Sequence, residues 1–328
     1  MDFQPIERAS EAFQQSLTAE EIGKVCQRAF GRAATPVSAV ELGMGMYNNV
    51  YRVVLAGRAL PVILRVAPEE ERQFRSERHL MRNEYSSVPW LSVIAPLMPQ
   101  VLAADWSHEV INRDWMIQTH LDGVPAPEHL GTYPRSAWPA FFRQMGAIAR
   151  SVHDVRGPHF GPVGGPGYGT WSEAVITSLE EIAAGLDGVG LDSADVRKAA
   201  AVAAHDRAVL DEVTEPRLLT GDLWTVNVML DVGAAEPAIT GVFDMDRTEW
   251  GEPAADWTIR MATAKRDERV AFWETYGHRD CSAAASWRSL VYEVRHLGAV
   301  RLERHRLGNA AGVGSTYDAV AAVLADLG

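Results

Sequence analysis

The chain has 328 residues, 47% of them apolar, with 31 Lys and Arg against 43 Asp and Glu for a formal charge of −12. That length holds two lobes of about 100 to 200 residues each with large cores, and the composition excludes collagen, disorder and small disulfide scaffolds. Cys26 and Cys281 lie far apart outside any Cys-x-x-Cys or His-flanked pattern, so buried reduced thiols are expected, with no zinc site or disulfide framework. Residues 1–118 are nearly balanced, 12 basic against 14 acidic, whereas 119–328 carry 19 against 29. An acidic second part disfavours nucleic acid and anionic membrane and suits either cationic ligands or plain solubility. No apolar run reaches the roughly 18 to 20 residues of a membrane span, and MDFQPIERASEAFQQS lacks a secretory pattern, which leads to the expectation of a cytoplasmic protein.

In chain order, Thr18 and Glu21 form a capping box opening a helix with the stripe Ile22, Val25, Cys26, Ala29, Phe30, which Gly31 ends. From Val37 to Val66 the period shortens to that of strands: VSAVEL, VYRVVLA and LPVILRVA, with GMGMYNN and a Gly57-Arg58 turn between them. A charged helix is expected over Glu69 to Ser86, then strands at Val101 to Asp105 and in DWMIQTHL, and a turn at Asp122-Gly123. Helices at 136–153, 171–186 and 192–213 follow; RLLT, VMLD and ITGVFD are short strands, and helices run to the end. The 157–170 segment, GPHFGPVGGPGYGT, reads as a flexible loop or a connector.

The densest polar constellation occupies two loops that each follow an apolar strand, TGDLWTVN (220–227) and FDMDRTEWGEPAADW (243–257). Asp222, Asn227 and Asp244 there offer two carboxylates and an amide oxygen, hard ligands that suit Mg²⁺. Gly43 and Gly45 between two strands let backbone N–H groups approach phosphate, and Arg65 on the third strand has a helical carboxylate, Glu84 or failing that Glu77, to pair with. His residues form no His-Glu-x-x-His and no Ser stands in Gly-x-Ser-x-Gly, so zinc and triad hydrolases are disfavoured; His153 reads as a cap or a core hydrogen-bonder.

Over residues 37–260 these pieces resemble the aminoglycoside phosphotransferase family, chiefly at Gly221-Asp222-Leu223…Asn227, Phe243-Asp244, Gly251-Glu252-Pro253 and Asp256. The resemblance implies an α+β, bilobal, protein-kinase-like fold: a small antiparallel β-sheet N-lobe binding nucleotide (1–118) and a larger, mainly helical C-lobe for catalysis and acceptor (119–328). It implies Asp222 as the catalytic aspartate and Asn227 and Asp244 as Mg²⁺ ligands. Gly43, Gly45 and Asn49 would lie over the phosphates of ATP or GTP, Arg65 with Glu84 would touch the α- and β-phosphates, and Gln118, Thr119, His120 and Leu121 would form the hinge at the base. Asp256 resembles the aspartate that bonds backbone near the catalytic loop. Thr220 departs from the usual His, and Trp224, Thr225 and Val226 from the commoner His-Pro-Gly. Trp224 either lines the acceptor site or packs in the core, and Asp246 and Glu249 either meet the acceptor or metal or face solvent.

The implied activity is nucleotide-dependent O-phosphorylation of a small, hydroxylated, possibly cationic molecule, with an aminoglycoside, nucleoside or other sugar-bearing antibiotic first, giving resistance. The alternatives are a metabolic kinase for a sugar amine, choline or homoserine type of substrate, and a non-catalytic nucleotide-binding module. A monomer or homodimer without nucleic-acid or membrane partners is expected.

Overall fold

A computed structural model describes residues 1–327. Its contacts divide the chain into two units, one made of Met1–Gln73 with Met98–Asp122, the other of Phe74–Leu97 with everything from Gly123 on.

The first unit is a six-stranded sheet in the order β1-β2-β3-β4-β6-β5, from β1 (Asp2–Gln4), β2 (Pro36–Leu42), β3 (Asn49–Leu55), β4 (Val62–Val66), β5 (Val101–Asp105) and β6 (Trp115–Thr119). All pairings are antiparallel except β1 beside β2. Period-two alternation sets its inner face: on β3, Asn49, Tyr51, Val53 and Leu55 are buried while the residues between them are half-buried. Helix α1 (Ala19–Phe30) starts at the Thr18–Glu21 capping box and stops at Gly31, with Ile22, Val25 and Cys26 packed on that face. Burying Ile22 or Val25 contributes about 1.5–3 kcal/mol each. The Tyr51 hydroxyl accepts from the Leu17 N–H at 2.7 Å, which ties the entering chain to the sheet.

The expected helix over 69–86 is broken. Two 3₁₀ turns, Glu70–Arg72 and Arg75–Glu77, precede α2 (Leu80–Ser87), and His79 before it sits in the left-handed region (φ 64°). Tertiary charge pairing overrides helical propensity here, because Glu77 is buried as a partner for two arginines.

The second unit is mainly helical. Its short strands β7 (Val124–Pro125), β8 (Gly161–Pro162), β9 (Arg217–Leu219), β10 (Val228–Leu230), β11 (Ile239–Val242) and β12 (Glu249–Gly251) form two three-stranded sheets, β11-β10-β7 and β8-β12-β9. Its helices are α3 (Ala126–His129), α4 (Trp138–His153), α5 (Trp171–Gly188), α6 (Ala194–His205), α7 (Arg207–Leu210), α8 (Trp257–Ala264), α9 (Val270–Tyr276), α10 (Ala283–Arg306) and α11 (Ala310–Leu327). The expected 192–213 helix is thus two, interrupted at Asp206. Trp171, Leu179, Leu186, Val196, Tyr292 and Val320 belong to the core that joins α5, α6, α10 and α11. Segment 157–170 is packed: Gly157 lies against Trp250, Gly161 against Tyr168, and Phe160 bridges Tyr168, so the backbone approaches where no Cβ fits. Among the described residues no helix is long and apolar enough to cross a membrane.

Candidate active site

Strand β9 delivers Thr220, Gly221 and Asp222 to a loop fixed at both ends. Gly221 has φ +75°, and a Cβ there would collide with the Arg247 carbonyl, so glycine is required. Leu223, fully buried, draws the loop inward. Asp256 holds the other side: it caps α8 through the Thr258 N–H (3.1 Å) and accepts from the Thr220 N–H (2.5 Å) and hydroxyl (3.0 Å). His153 Nε2 lies 2.7 Å from Asp256 Oδ2 and its Nδ1 2.8 Å from the Tyr276 hydroxyl. Burial works against ionisation of Asp256, yet the His153 contact and the backbone N–H groups of Thr220 and Thr258 hold it below the usual carboxylate range. The departure at position 220 therefore leaves the clamp intact, since a threonine hydroxyl and its N–H both reach the carboxylate.

Asn227 ends the 3₁₀ turn Thr225–Asn227, and its Nδ2 donates to Asp222 O (2.8 Å) and Oδ2 (3.2 Å). The Phe243 N–H donates to Asn227 O (3.1 Å), and Val228 pairs with Val242 on the adjacent strands, which brings Asp244 beside the same loop. Asp244 adopts φ 63°, a conformation costly for a non-glycine residue and found where structure imposes it. Burial pushes the Asp222 carboxyl up to about 7; Arg247 opposes this, the Asp244 charge adds to it, and the Asn227 amide opposes it. Asp222, Asn227 and Asp244 are thus brought together, with the Asp222 carboxyl pushed toward neutrality.

The donor set fits Mg²⁺. With its Nδ2 turned to Asp222, Asn227 offers its amide oxygen, and Asp244 a carboxylate; Mg²⁺ takes one or two such ligands and completes its octahedron with phosphate oxygens and water. Among the described residues no group of three His, Cys, Asp or Glu could hold a metal by itself.

Sequence reasoning missed Arg247, which donates to Glu77 at 3.1 Å, while Glu77 also accepts from Arg306. Burial alone would lower the Arg247 pKa, but Glu77, Asp246 and Asp222 around it push it up, so the guanidinium is firmly charged. Glu77, the second choice of partner for Arg65, is held by Arg247 and Arg306. The signal for Arg247 lay beside Asp246 in DMDR; nothing in the sequence paired it with Glu77, 170 residues away.

Of the expected acceptor-side residues, Glu249 has both carboxylate oxygens on Arg295 (2.5 and 3.3 Å), Asp246 is buried, and Trp224 is half-buried at the head of the 3₁₀ turn. Glu252 is likewise held by Arg288 at 2.9 and 3.0 Å.

In the first unit, Gly43 and Gly45 stand in the loop between β2 and β3, where Gln14 Nε2 donates to Gly45 O (3.1 Å) and Asn48 O (2.8 Å). Asn49 is 1% exposed and faces inward: its Nδ2 donates to Glu41 (2.8 Å) and its Oδ1 accepts from Arg113 (3.3 Å). Glu41 also receives the Ile6 N–H, Ser16 and Arg8; these and Asn49 outweigh burial and keep it below the usual range. Arg65 is buried on β4, opposite Val50 and Met116. Gln118 and Thr119 end β6, and the Thr119 N–H is taken by Gln100 O (2.9 Å); His120 and Leu121 follow. Burial lowers the His120 pKa, helped by Arg52. Glu84 is buried on α2 in the second unit.

The fold is that of solved aminoglycoside phosphotransferases. A crystal structure of a thermostable mutant of aminoglycoside phosphotransferase APH(4)-Ia in its apo form superposes with a TM-score of 0.65 at 19% identity, covering 93% of this chain and 98% of that one. A ternary complex of a thermostable mutant of the same phosphotransferase with AMP-PNP and hygromycin B gives 0.61 at 19% identity over 92% and 97%. The GDP complex of wild-type aminoglycoside 2'-phosphotransferase-IIIa gives 0.63 at 14% over 94% and 99%. No curated protein matches significantly by sequence. Residues 38–290 match the profile described as the phosphotransferase enzyme family, APH, which spans most of the first unit's sheet and the Asp222, Asn227 and Asp244 loops alike. With that match over most of its length, the chain belongs to the APH phosphotransferase family.

Proposed function

We propose that the protein transfers the terminal phosphoryl group of ATP or GTP to a hydroxyl of a small sugar-bearing antibiotic. The observation that carries this reading is Asp222, raised to about 7, hydrogen-bonded by Asn227 and close to Asp244. The acceptor oxygen attacks the γ-phosphorus as the bond to the β-phosphate oxygen breaks; the hydroxyl proton passes to Asp222 Oδ and then to solvent, and the nucleoside diphosphate leaves. Mg²⁺, held by Asn227 and Asp244, supplies charge neutralisation to the β- and γ-phosphates when bound. Residues 1–118 serve the nucleotide: the backbone at Gly43 and Gly45 and the Arg65 guanidinium meet phosphate. Asn49 shapes that loop through Glu41 and Arg113. Gln118, Thr119, His120 and Leu121 form the hinge whose backbone pairs with the base, the Thr119 N–H itself being taken by Gln100 O. Residues 119–328 supply catalysis and the acceptor site, with Trp224 as an acceptor-side aromatic.

Support for an antibiotic acceptor comes from neighbours solved with hygromycin B or kanamycin and with either adenine or guanine nucleotides. Phosphorylation adds nearly two negative charges to the drug, which removes its fit to its target and confers resistance. The cytoplasm, where triphosphates are abundant, is the expected compartment. A metabolic kinase for a sugar amine or amino alcohol is the second reading. It is favoured by the neutralisation of Glu249 and Glu252 by Arg295 and Arg288, which leaves fewer fixed anions for a polycation than the sequence count implies.

The test is Mg²⁺-dependent nucleotide consumption, ATP and GTP separately, against aminoglycosides, nucleoside and peptide antibiotics, sugar amines and amino alcohols. Acceptor-stimulated turnover that Asp222→Ala abolishes while still binding nucleotide is the expected result. Nucleotide binding without turnover on any acceptor would point to a binding module instead, and no nucleotide binding at all would end the reading.

A further inference from the structure

Asn83, on α2, is 8% exposed and has its whole amide engaged. Its Nδ2 donates to Asp246 O (2.8 Å), Thr248 O (2.9 Å) and Thr248 Oγ1 (3.2 Å), and its Oδ1 accepts from the Gly164 N–H at 2.7 Å. One turn later on the same face, Ser87 Oγ donates to Asn83 O (2.7 Å) and also meets Thr248 Oγ1. An amide alone supplies both N–H donors and an oxygen acceptor at that position; a carboxylate lacks the donors and an aliphatic residue lacks both.

The two carbonyls that Asn83 grips flank Arg247, whose backbone abuts Gly221, and they follow Asp244 by two and four residues. Asp244 has φ 63°, a sparsely populated conformation that a fixed chain on either side helps to hold. No residue between Asp244 and Thr248 lies in a strand or helix, so no ladder of backbone bonds can supply that rigidity. Asn83 grips this stretch from a helix more than 160 residues away, alongside the Val163 N–H on the Thr248 carbonyl and the Arg247 bond to Glu77, and through Gly164 it ties the glycine-rich 157–170 segment to the same point.

We infer that Asn83 is a positioning residue that aims the Asp244 carboxylate and the Arg247 guanidinium by anchoring the backbone on either side of Arg247. This rests on the assignment of Asp244 as an Mg²⁺ ligand. It makes α2 a structural part of the metal side of the site, so its loss acts on metal-dependent affinity before it acts on nucleotide recognition.

The test needs no acceptor: the affinity of the full chain for AMP-PNP is measured by calorimetry with and without Mg²⁺ in wild type, Asn83→Ala, Asn83→Asp and Val175→Ala. Asn83→Asp keeps the oxygen that faces Gly164 and removes the donors to Asp246 and Thr248, and it serves if the alanine variant does not fold. Val175, buried in the α5 core, controls for lost stability alone. The expected result is that Mg²⁺ tightens binding to wild type and to Val175→Ala, that at least fivefold of this tightening disappears in both Asn83 variants, and that metal-free affinities agree within about twofold. Unchanged tightening in the Asn83 variants, or an equal loss in Val175→Ala, overturns the inference. A wild type indifferent to Mg²⁺ removes the metal assignment and the inference with it, and is distinguishable because the deficit then lies in the parent protein.

Discussion

Asp222→Asn exposes what the site costs the fold. A carboxyl held at about 7 instead of in the ordinary aspartate range binds protons more tightly in the folded than in the unfolded chain. Stability is then fully present below the unfolded pKa near 4 and is lost as pH rises through about 7. Each tenfold change in proton affinity is worth about 1.4 kcal/mol, so the ionised form carries a penalty of about 4 kcal/mol as an upper bound. Partial exposure of the carboxylate to solvent brings the expectation down to about 2–3 kcal/mol. Asparagine keeps the size and the acceptor for Asn227 Nδ2 but cannot ionise, so the variant is inactive and more stable than wild type at pH 8. Thermal unfolding at pH 8 and pH 5 reads this out. For a chain of this length the gain corresponds to a rise of about 4–6 °C in Tm at pH 8, and it shrinks to less than half at pH 5, where the wild-type carboxyl is protonated. A variant that is less stable than wild type at pH 8, or a gap that does not change between the two pH values, refutes the assignment of a desolvated base.

Gly221→Ala forces a Cβ into the Arg247 carbonyl from a left-handed backbone; displacement of Asp222 by a fraction of an ångström lowers kcat by about 100-fold, measured in the turnover assay with nucleotide KM as the internal check. His153→Phe keeps an aromatic ring against Tyr276 but leaves the Asp256 carboxylate, 1% exposed, without one of its partners. Urea unfolding is expected to show a loss of about 3–5 kcal/mol, and a loss under about 1 kcal/mol would mean that Thr220 and Thr258 hold Asp256 unaided.

What could be read from sequence was local. The capping box at Thr18, the alternation of VYRVVL and the spacing of Asp222 to Asn227 all depend on residues within a few positions of one another, and each formed as expected. The strands that escaped notice, β1, β7, β8 and β12, are two or three residues long and owe their state to a distant partner, as Glu249 does to Leu219 and Pro162. The broken helix after Glu69 has the same cause. Its composition is helical, but burying Glu77 between Arg247 and Arg306 outweighs a few tenths of a kcal/mol per residue of propensity.

The same distinction separates the two halves of the site's chemistry. Apart from Arg65 on β4, the groups that would touch phosphate and metal sit on short loops after strands, so they are legible as motifs. The groups that tune them are mostly distant: Arg247, on the same loop, opposes the rise of Asp222, but its partner Glu77 and Glu77's second partner Arg306 come from elsewhere, as do Arg288 and Arg295 of α10, which neutralise Glu252 and Glu249. Three arginines on one helix thus engage carboxylates at 252, 249 and 77, and two of these lie on the segment that begins at Asp244. Helix α10, which carries no motif, therefore lowers the charge of the acidic second part that is left unmatched. Net charge counted from sequence overstates that remainder, because it cannot distinguish a carboxylate facing solvent from one already matched by an arginine on a distant helix.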